Sequence, residues 1–266
     1  MIDLKTTRIL VSNDDGVNAE GIGVLERIAR SISDDVWVVA PDTEQSGAGH
    51  SLSLHAPLRY RQLGERKFSV SGTPTDAVLI GVQEILQDKR PGLMLSGINR
   101  GSNLAEDVTY SGTVAAAMEA TLLEIPAIAF SNVLAPLSPT QEPGAEREIR
   151  WETPEHFAAD IIRSLTQLQW PHGTLMNVNF PALPPAQVKG ILPCPQGRRK
   201  LDDNLHRRVD PHGRPYIWIG GQRTEPFTDQ PDADYMKIRE GYITITPLNV
   251  DMTNYAMLGE LRAMSG

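Results

Sequence analysis

The apolar positions in the first half of the chain switch repeatedly between two periods. Residues 8–11 form a short β-rich run that ends in the polar loop Ser12-Asn13-Asp14-Asp15-Gly16. Between Gly21 and Ile32 the apolar side chains fall at Ile22, Leu25, Ile28, Ala29 and Ile32, the spacing of one helix face. Residues 36–40 are then continuously apolar and are stopped by Pro41, as expected of a strand buried on both faces. Residues 58–63 and 67–71 read as two short strands of a hairpin projecting from the sheet. Thr73-Pro74 supplies an N-cap and a first-turn proline for a helix running to about Gln87. Residues 93–95 predict a strand, 96–110 a loop, 111–123 an alanine-rich helix and 127–130 another strand. This alternation predicts a mostly parallel, buried sheet with helices on both faces.

The second half is less regular. Residues 134–153, rich in Pro, Glu and Ser, read as a surface loop. A helix over 154–168 and a strand over 174–180 resume the pattern. After Pro181 the chain is dominated by Pro, Gly, Arg and His to about Asp234, with short strand pieces such as 216–219. It closes with a strand over 241–246 and a short helix over 254–264.

Composition narrows the classes. A length of 266 residues suffices for one large α/β domain that buries most of its surface without a disulfide or structural metal. The net charge of −8 argues against a sequence-independent grip on nucleic acid. The basic run Arg198-Arg199-Lys200, followed by Arg207-Arg208, is interrupted by Asp202, Asp203 and Asp210 and reads as a solvated loop. With Cys194 as the one cysteine, no intrachain disulfide can form. No secretory signal is visible and no apolar stretch approaches a membrane span, so the expectation is a cytoplasmic protein with neither membrane nor nucleic-acid partners.

Open α/β sheets bind ligands outside the carboxyl ends of their strands, so the loops after the strands carry the candidate chemistry. The first holds Asn13, Asp14, Asp15 and Gly16. Adjacent carboxylates repel and raise each other's pKa unless a cation neutralises them, and a hard divalent cation prefers such oxygens. A solvated turn explains the same residues equally well. The second, 42–51, contains Ser46-Gly47-Ala48-Gly49. Gly47 and Gly49 permit close backbone approach to a ligand, and Ser46 offers a hydroxyl, but the Gly-Lys-Ser/Thr ending of a nucleotide-binding P-loop is missing. The third places Asn99, Gly101 and Asn103 before Tyr110-Ser111-Gly112-Thr113 at a helix start. Free N–H groups and the dipole make that start a phosphate seat, while plain capping accounts for Ser111 or Thr113 taken singly. Together, two carboxylates, a hydroxyl and an amide oxygen beside an anion seat point to metal-assisted hydrolysis of a phosphate ester. His50 and His55 lie in or near the second loop, but a hard oxygen donor set argues against a histidine ligand.

Six segments make the chain resemble the survival protein SurE family of nucleotidases: ILVSNDDGVNAEGI (9–22), APDTEQSGAG (40–49), SGTPTDAV (71–78), SGINRGSN (96–103), YSGTVAAAMEA (110–120) and GYITITPLNVDMTNY (241–255). The resemblance implies a three-layer αβα, doubly wound, mostly parallel sheet. A Rossmann-like core over 1–180 would be followed over 181–266 by a β-hairpin-rich extension and a C-terminal strand–helix segment swapped between protomers of a homodimer or homotetramer. It further implies one divalent cation per subunit, Mg2+ or Mn2+, on Asp14, Asp15, Ser46 and Asn99, with phosphate at Ser111, Gly112 and Thr113. The expected substrates are nucleoside 5′- and 3′-monophosphates, with short-chain polyphosphate as a further possibility.

The expected mechanism has Asp14 orienting or deprotonating the attacking water, Gly47 admitting the substrate, and Asn13 or Asn103 donating to a phosphate oxygen. Two other readings compete. An aspartyl-phosphate phosphatase with Asp14 as nucleophile requires aspartates two residues apart after the first strand, and here they are adjacent. A non-catalytic nucleotide-binding module would use the same phosphate seat without needing a metal that has open positions.

Overall fold

The first strand, β1 (Ile9–Ser12), is buried at every position, which demands a strand on each side and a helical layer on each face. The computed structural model describes residues 2–135, 147–198, 205–219 and 229–264 and supplies both. β1 pairs in parallel with β2 (Val36–Pro41) and with β5 (Leu93–Arg100). Among the described residues the sheet has nine strands. Outward from β2 lie β4 (Lys67–Val70) and β3 (Tyr60–Gly64). On the other side β5 is followed by β6 (Ala127–Asn132), β7 (Thr174–Phe180), β11 (Ile243–Asn249) and β8 (Ile191–Pro193). From β4 to β7 the neighbours are parallel, while β3 runs antiparallel to β4 and β11 antiparallel to β7, with β8 parallel to β11. β9 (Leu205–Val209) and β10 (Pro215–Ile219) form a separate, wholly exposed antiparallel ribbon.

Alternating side chains of β1 feed two cores. Ile9 and Val11 pack with Ile22 and Leu25 of α1 (Glu20–Arg30) and with Ile161 and Ile162 of α4 (Glu152–Thr166). Leu10 faces the opposite layer, with Val78 of α2 (Pro74–Ile80) and Val114 and Ala117 of α3 (Gly112–Leu122). Strand order runs outward from β1 through β2 to β4, then returns to β5 on the other side of β1. The loops after β1 and β5 therefore diverge at a topological switch point, the place where such sheets open a crevice.

Several local expectations meet a different outcome. The 58–71 hairpin does not project from the sheet: β4 pairs with β2 and extends it, with Phe68 stacked on Trp37 at 6.1 Å between ring centroids. The strand expected at 93–95 continues to Arg100, with a register shift between Ser96 and Asn99. Gly97 sits at φ +120° where a Cβ would lie 2.3 Å from the Phe130 carbonyl, so only glycine fits. The helix from Thr73 has its full capping box with Asp76 but changes to a π-helical turn at 81–85.

Between the loose region, expected to end at about Asp234, and the closing strand lies a helix not assigned from the sequence, α5 (Asp234–Glu240), closed by Gly241 at φ +96°. From Thr244 to Asn249 the closing strand pairs with β7 of the same chain. The helix after it, α6 (Tyr255–Met264), has no buried residue. Most of the loop expected at 134–153 and part of the basic run at 198–208 fall outside the described residues.

At the end of the sheet away from the crevice, Arg8 anchors the strands. The residue is 6% exposed, and its guanidinium donates to Asp35 at 3.1 Å, to Asp88 at 2.7 and 3.1 Å and to the Lys89 carbonyl at 2.8 Å. Burial pushes the Asp35 carboxyl up, but hydrogen bonds from Lys89, Trp37 and Arg8 outweigh it and hold the group at about 2. That lies below the ordinary carboxylate value, so the contribution is complete above about pH 4 and disappears as pH falls toward 2. Asp35→Ala should cost about 2 kcal/mol at pH 7, because it leaves a buried arginine short of a partner. Urea unfolding should show that deficit shrinking between pH 4 and pH 2; an unchanged deficit at the lower pH would refute the ion pair as its source.

Candidate active site at the carboxyl ends of β1 and β5

The turn after β1 is built by its own residues. Asn13 donates through Nδ2 to the Gly16 carbonyl at 2.9 Å, and Val17 N–H returns to the Pro41 carbonyl at 2.8 Å. This holds Asp14 at the mouth of the sheet with 4% of its surface exposed. Its carboxylate accepts a hydrogen bond from the Thr113 hydroxyl of α3, and its backbone carbonyl accepts from Gln45 N–H at 2.8 Å. The start of α3 abuts it so closely that a Cβ on Gly112 would lie 2.6 Å from the Asp14 Cβ. Glycine at 112 is thus a requirement of the contact.

The electrostatics follow from this burial. Asp14 is pushed up to about 6, first by desolvation and then by the charge of Asp15, against the opposing Thr113 bond. Asp15 is raised as well, chiefly by burial and also by Glu44, while a 3.2 Å hydrogen bond from the Arg100 backbone N–H opposes the shift. Both carboxylates therefore sit where added positive charge is favourable.

The remaining expected residues gather around Asp14. Asp14, Ser46, Gly47, Asn99, Asn103 and Ser111 line one open cavity of about 250 Å³, with Arg100, Asp107 and Tyr110 among the other residues of its wall. Asn99 donates through Nδ2 to the Gly101 carbonyl at 2.9 Å, which leaves its amide oxygen as the end available to a ligand. The Ser46 hydroxyl donates to Glu44 Oε1 at 2.9 Å. Ser111 caps α3, accepting from Val114 N–H at 3.0 Å. Asp15 faces a second cavity of about 500 Å³ on the α1 side, with Glu20, Glu44 and Trp151. That cavity is larger, but the convergent oxygen donors and the helix start line the smaller one.

Three side chains have structural duties beyond the roles expected of them. Thr113 spends its hydroxyl hydrogen on Asp14 and so orients that carboxylate. Asn103 lines the cavity, but its Nδ2 donates to Ser131 Oγ at 2.8 Å. Asn13 is fully buried, tied to its own turn through Nδ2, and its Oδ1 has no partner. Sequence reasoning passed over Asn177 and Asn179, which both donate to the Asn103 carbonyl at 2.8 and 3.0 Å. Asn179 Oδ1 also accepts from Asn103 N–H at 2.9 Å, so β7 fixes the loop after β5. Two buried asparagines in alternate positions of one strand were the available signal.

A divalent cation fits the chemistry of this donor set. Two carboxylates, an amide oxygen and a hydroxyl are hard ligands, and the raised Asp14 pKa marks a shortage of positive charge. Among the described residues no group of three His, Cys, Asp or Glu side chains converges, so a metal here relies on neutral oxygens to complete its set. His50 is engaged 2.9 Å from Glu119 and His55 is exposed.

Comparison with known proteins gives a consistent result. The family described as Survival protein SurE matches residues 9–203. The chain is 53% identical over 252 residues to the 5′-nucleotidase SurE of Paramagnetospirillum magneticum, covering 95% of this chain and 93% of that one. It is 51% identical over 268 residues to the 5′-nucleotidase SurE of Rhodospirillum rubrum, covering 100% and 98% respectively. The crystal structure of the SurE protein from Aquifex aeolicus superposes with a TM-score of 0.80 at 37% identity, covering 97% of this chain and 100% of that one. With the family match spanning most of its length and half its residues shared with these relatives, the chain belongs to the SurE survival-protein family.

Proposed function

We propose that this chain is a 5′-nucleotidase whose hydrolysis of nucleoside monophosphates depends on one divalent cation held by Asp14, Asp15, Ser46 and Asn99. The observation that carries the reading is the Asp14 carboxylate, buried against a helix start and raised to about 6. The activity itself rests on relatives named 5′-nucleotidase that share about half of the residues along nearly the whole chain. Mg2+ and Mn2+ both accept this oxygen set. When bound, such a cation polarises water and offsets phosphate charge.

The chain's own groups divide the remaining work. The free N–H groups at the start of α3 and the Ser111 hydroxyl receive the phosphate oxygens, and the helix dipole favours the charge that builds there. Gly112 keeps that seat clear of any side chain beside Asp14. Gly47, at φ +78° with open space around it, lets the loop backbone approach the substrate. Asp14 orients the attacking water and accepts its proton, with Thr113 fixing the position of the carboxylate. These groups address the phosphate and no particular base. The reading therefore extends to 3′-monophosphates and short polyphosphate as substrates presenting the same terminal group.

Phosphate release from a panel of 5′- and 3′-monophosphates and tripolyphosphate, in EDTA and then with Mg2+ or Mn2+ restored, tests the reading. Release that returns only with metal is expected, and Asp14→Asn should lower kcat at least about a hundredfold. Release that persists in EDTA would exclude the metal, and AMP binding without release would favour a binding module instead.

Stability gives a second, independent check. The folded Asp14 pKa lies above the ordinary carboxylate value, so ionising it costs stability. That cost is complete above about pH 7 and is relieved as pH falls through 6 toward 4. In EDTA at pH 8, Asp14→Asn should therefore be more stable than the parent by on the order of 3 kcal/mol. Mn2+ should raise the parent's Tm and leave the variant's unchanged; a parent indifferent to Mn2+ would contradict the site.

A further inference from the structure

Helix α3 is buried on almost every side, through Val114, Ala116, Ala117 and Ala120. It nevertheless carries a glutamate, Glu119, that is only 9% exposed. A carboxylate in such a place is costly without a partner. Its Oε2 lies 2.9 Å from Nε2 of His50. Neither side chain lines the cavity described above.

His50 ends the segment that carries Ser46 and Gly47. Two of its residues, Gly47 and Gly49, stand at φ +78° and +57°, so the segment has high conformational freedom to lose. Its first end is tied by Gln45 N–H to the Asp14 carbonyl at 2.8 Å. Beyond it, the Ser51 carbonyl accepts from Thr73 Oγ1 at 2.7 Å and Ser53 N–H donates to Asp76 Oδ1 at 3.1 Å, both at the start of α2. Between those ties, the His50–Glu119 pair fastens the segment to α3. This is the helix whose first turn holds Asp14 through Thr113, and Glu119 lies about 9 Å further along its axis. One rigid element therefore contacts both Asp14 and the far end of the Ser46 loop.

We infer that His50 and Glu119 form a positioning clamp that sets the 46–49 loop, and with it Ser46, against Asp14 at the cation site. The clamp rests on the reading that Ser46 and Asp14 share a cation. Its two residues act through that loop and touch neither substrate nor metal. Releasing the clamp frees the glycine-containing loop, so metal binding must then supply the ordering that the pair had already provided.

The test is Mn2+ binding to the full chain without substrate, by calorimetry or by paramagnetic resonance of free Mn2+, with steady-state kinetics alongside. His50→Ala should weaken Mn2+ binding about fivefold to tenfold, the worth of one hydrogen bond, while kcat at saturating Mn2+ stays within about threefold of the parent. Glu119→Ala should match it, and the double variant should be no worse than either single one. Glu119→Gln keeps the size and a hydrogen-bonding oxygen, and should recover most of the affinity. His50→Gln replaces His50→Ala if the latter does not fold, with Tm in EDTA as the control. Unchanged Mn2+ affinity in His50→Ala, in a parent that binds Mn2+, overturns the clamp alone. A parent that binds no Mn2+ overturns the metal site with it.

Discussion

The site depends on one unfavourable placement: the carboxylate of Asp14, almost fully buried at the end of a central strand with one edge on the cavity. Its burial follows directly from the fold. β1 has a strand on each side, so the residue just past it emerges between loops and not into solvent. α3 then closes over it at a distance that only a glycine at 112 permits. The Thr113 hydroxyl and the Gln45 backbone fix the residue but add no positive charge. An anion held this rigidly and solvated this poorly is primed for a cation, and the start of α3 lies beside it.

The surrounding architecture converts that local cost into a usable geometry. The parallel core from β4 to β7 aims every strand's carboxyl end at the same edge. At the switch between β1 and β5, loops attached to opposite helical layers come together. Asp14 faces the α3 side and Asp15 the α1 side, so the pair stands between two cavities. Buried asparagines of β7 brace the loop after β5, and the His50–Glu119 pair braces the loop after β2. The chemistry is carried by loops, but each loop is tied to a strand or helix that cannot easily move.

What could be read in the sequence was whatever local chemistry decides. The Thr73-Pro74 start announces its own cap, and the run 174–180 is a strand by composition alone. The cavity residues Asp14, Ser46, Asn99 and Ser111 were found because strand ends are where such sheets bind ligands. What could not be read depends on a distant partner. β4 joins the sheet because Phe68 finds Trp37. β5 runs on to Arg100 because β6 continues alongside it. Thr113 reads as a phosphate donor until Asp14 is seen to take its hydrogen. Nothing in the alanine-rich run 111–123 sets Glu119 apart, and only the packing of α3 shows that it is enclosed.

The account stands on a cation lying between Asp14 and Asp15, and anomalous diffraction at the manganese edge from crystals soaked in Mn2+ observes that directly. A single strong peak per chain is predicted, within about 2.5 Å of a carboxylate oxygen of each aspartate. A peak confined to the larger cavity beside Glu20 and Glu44, or no ordered peak at all, would contradict it.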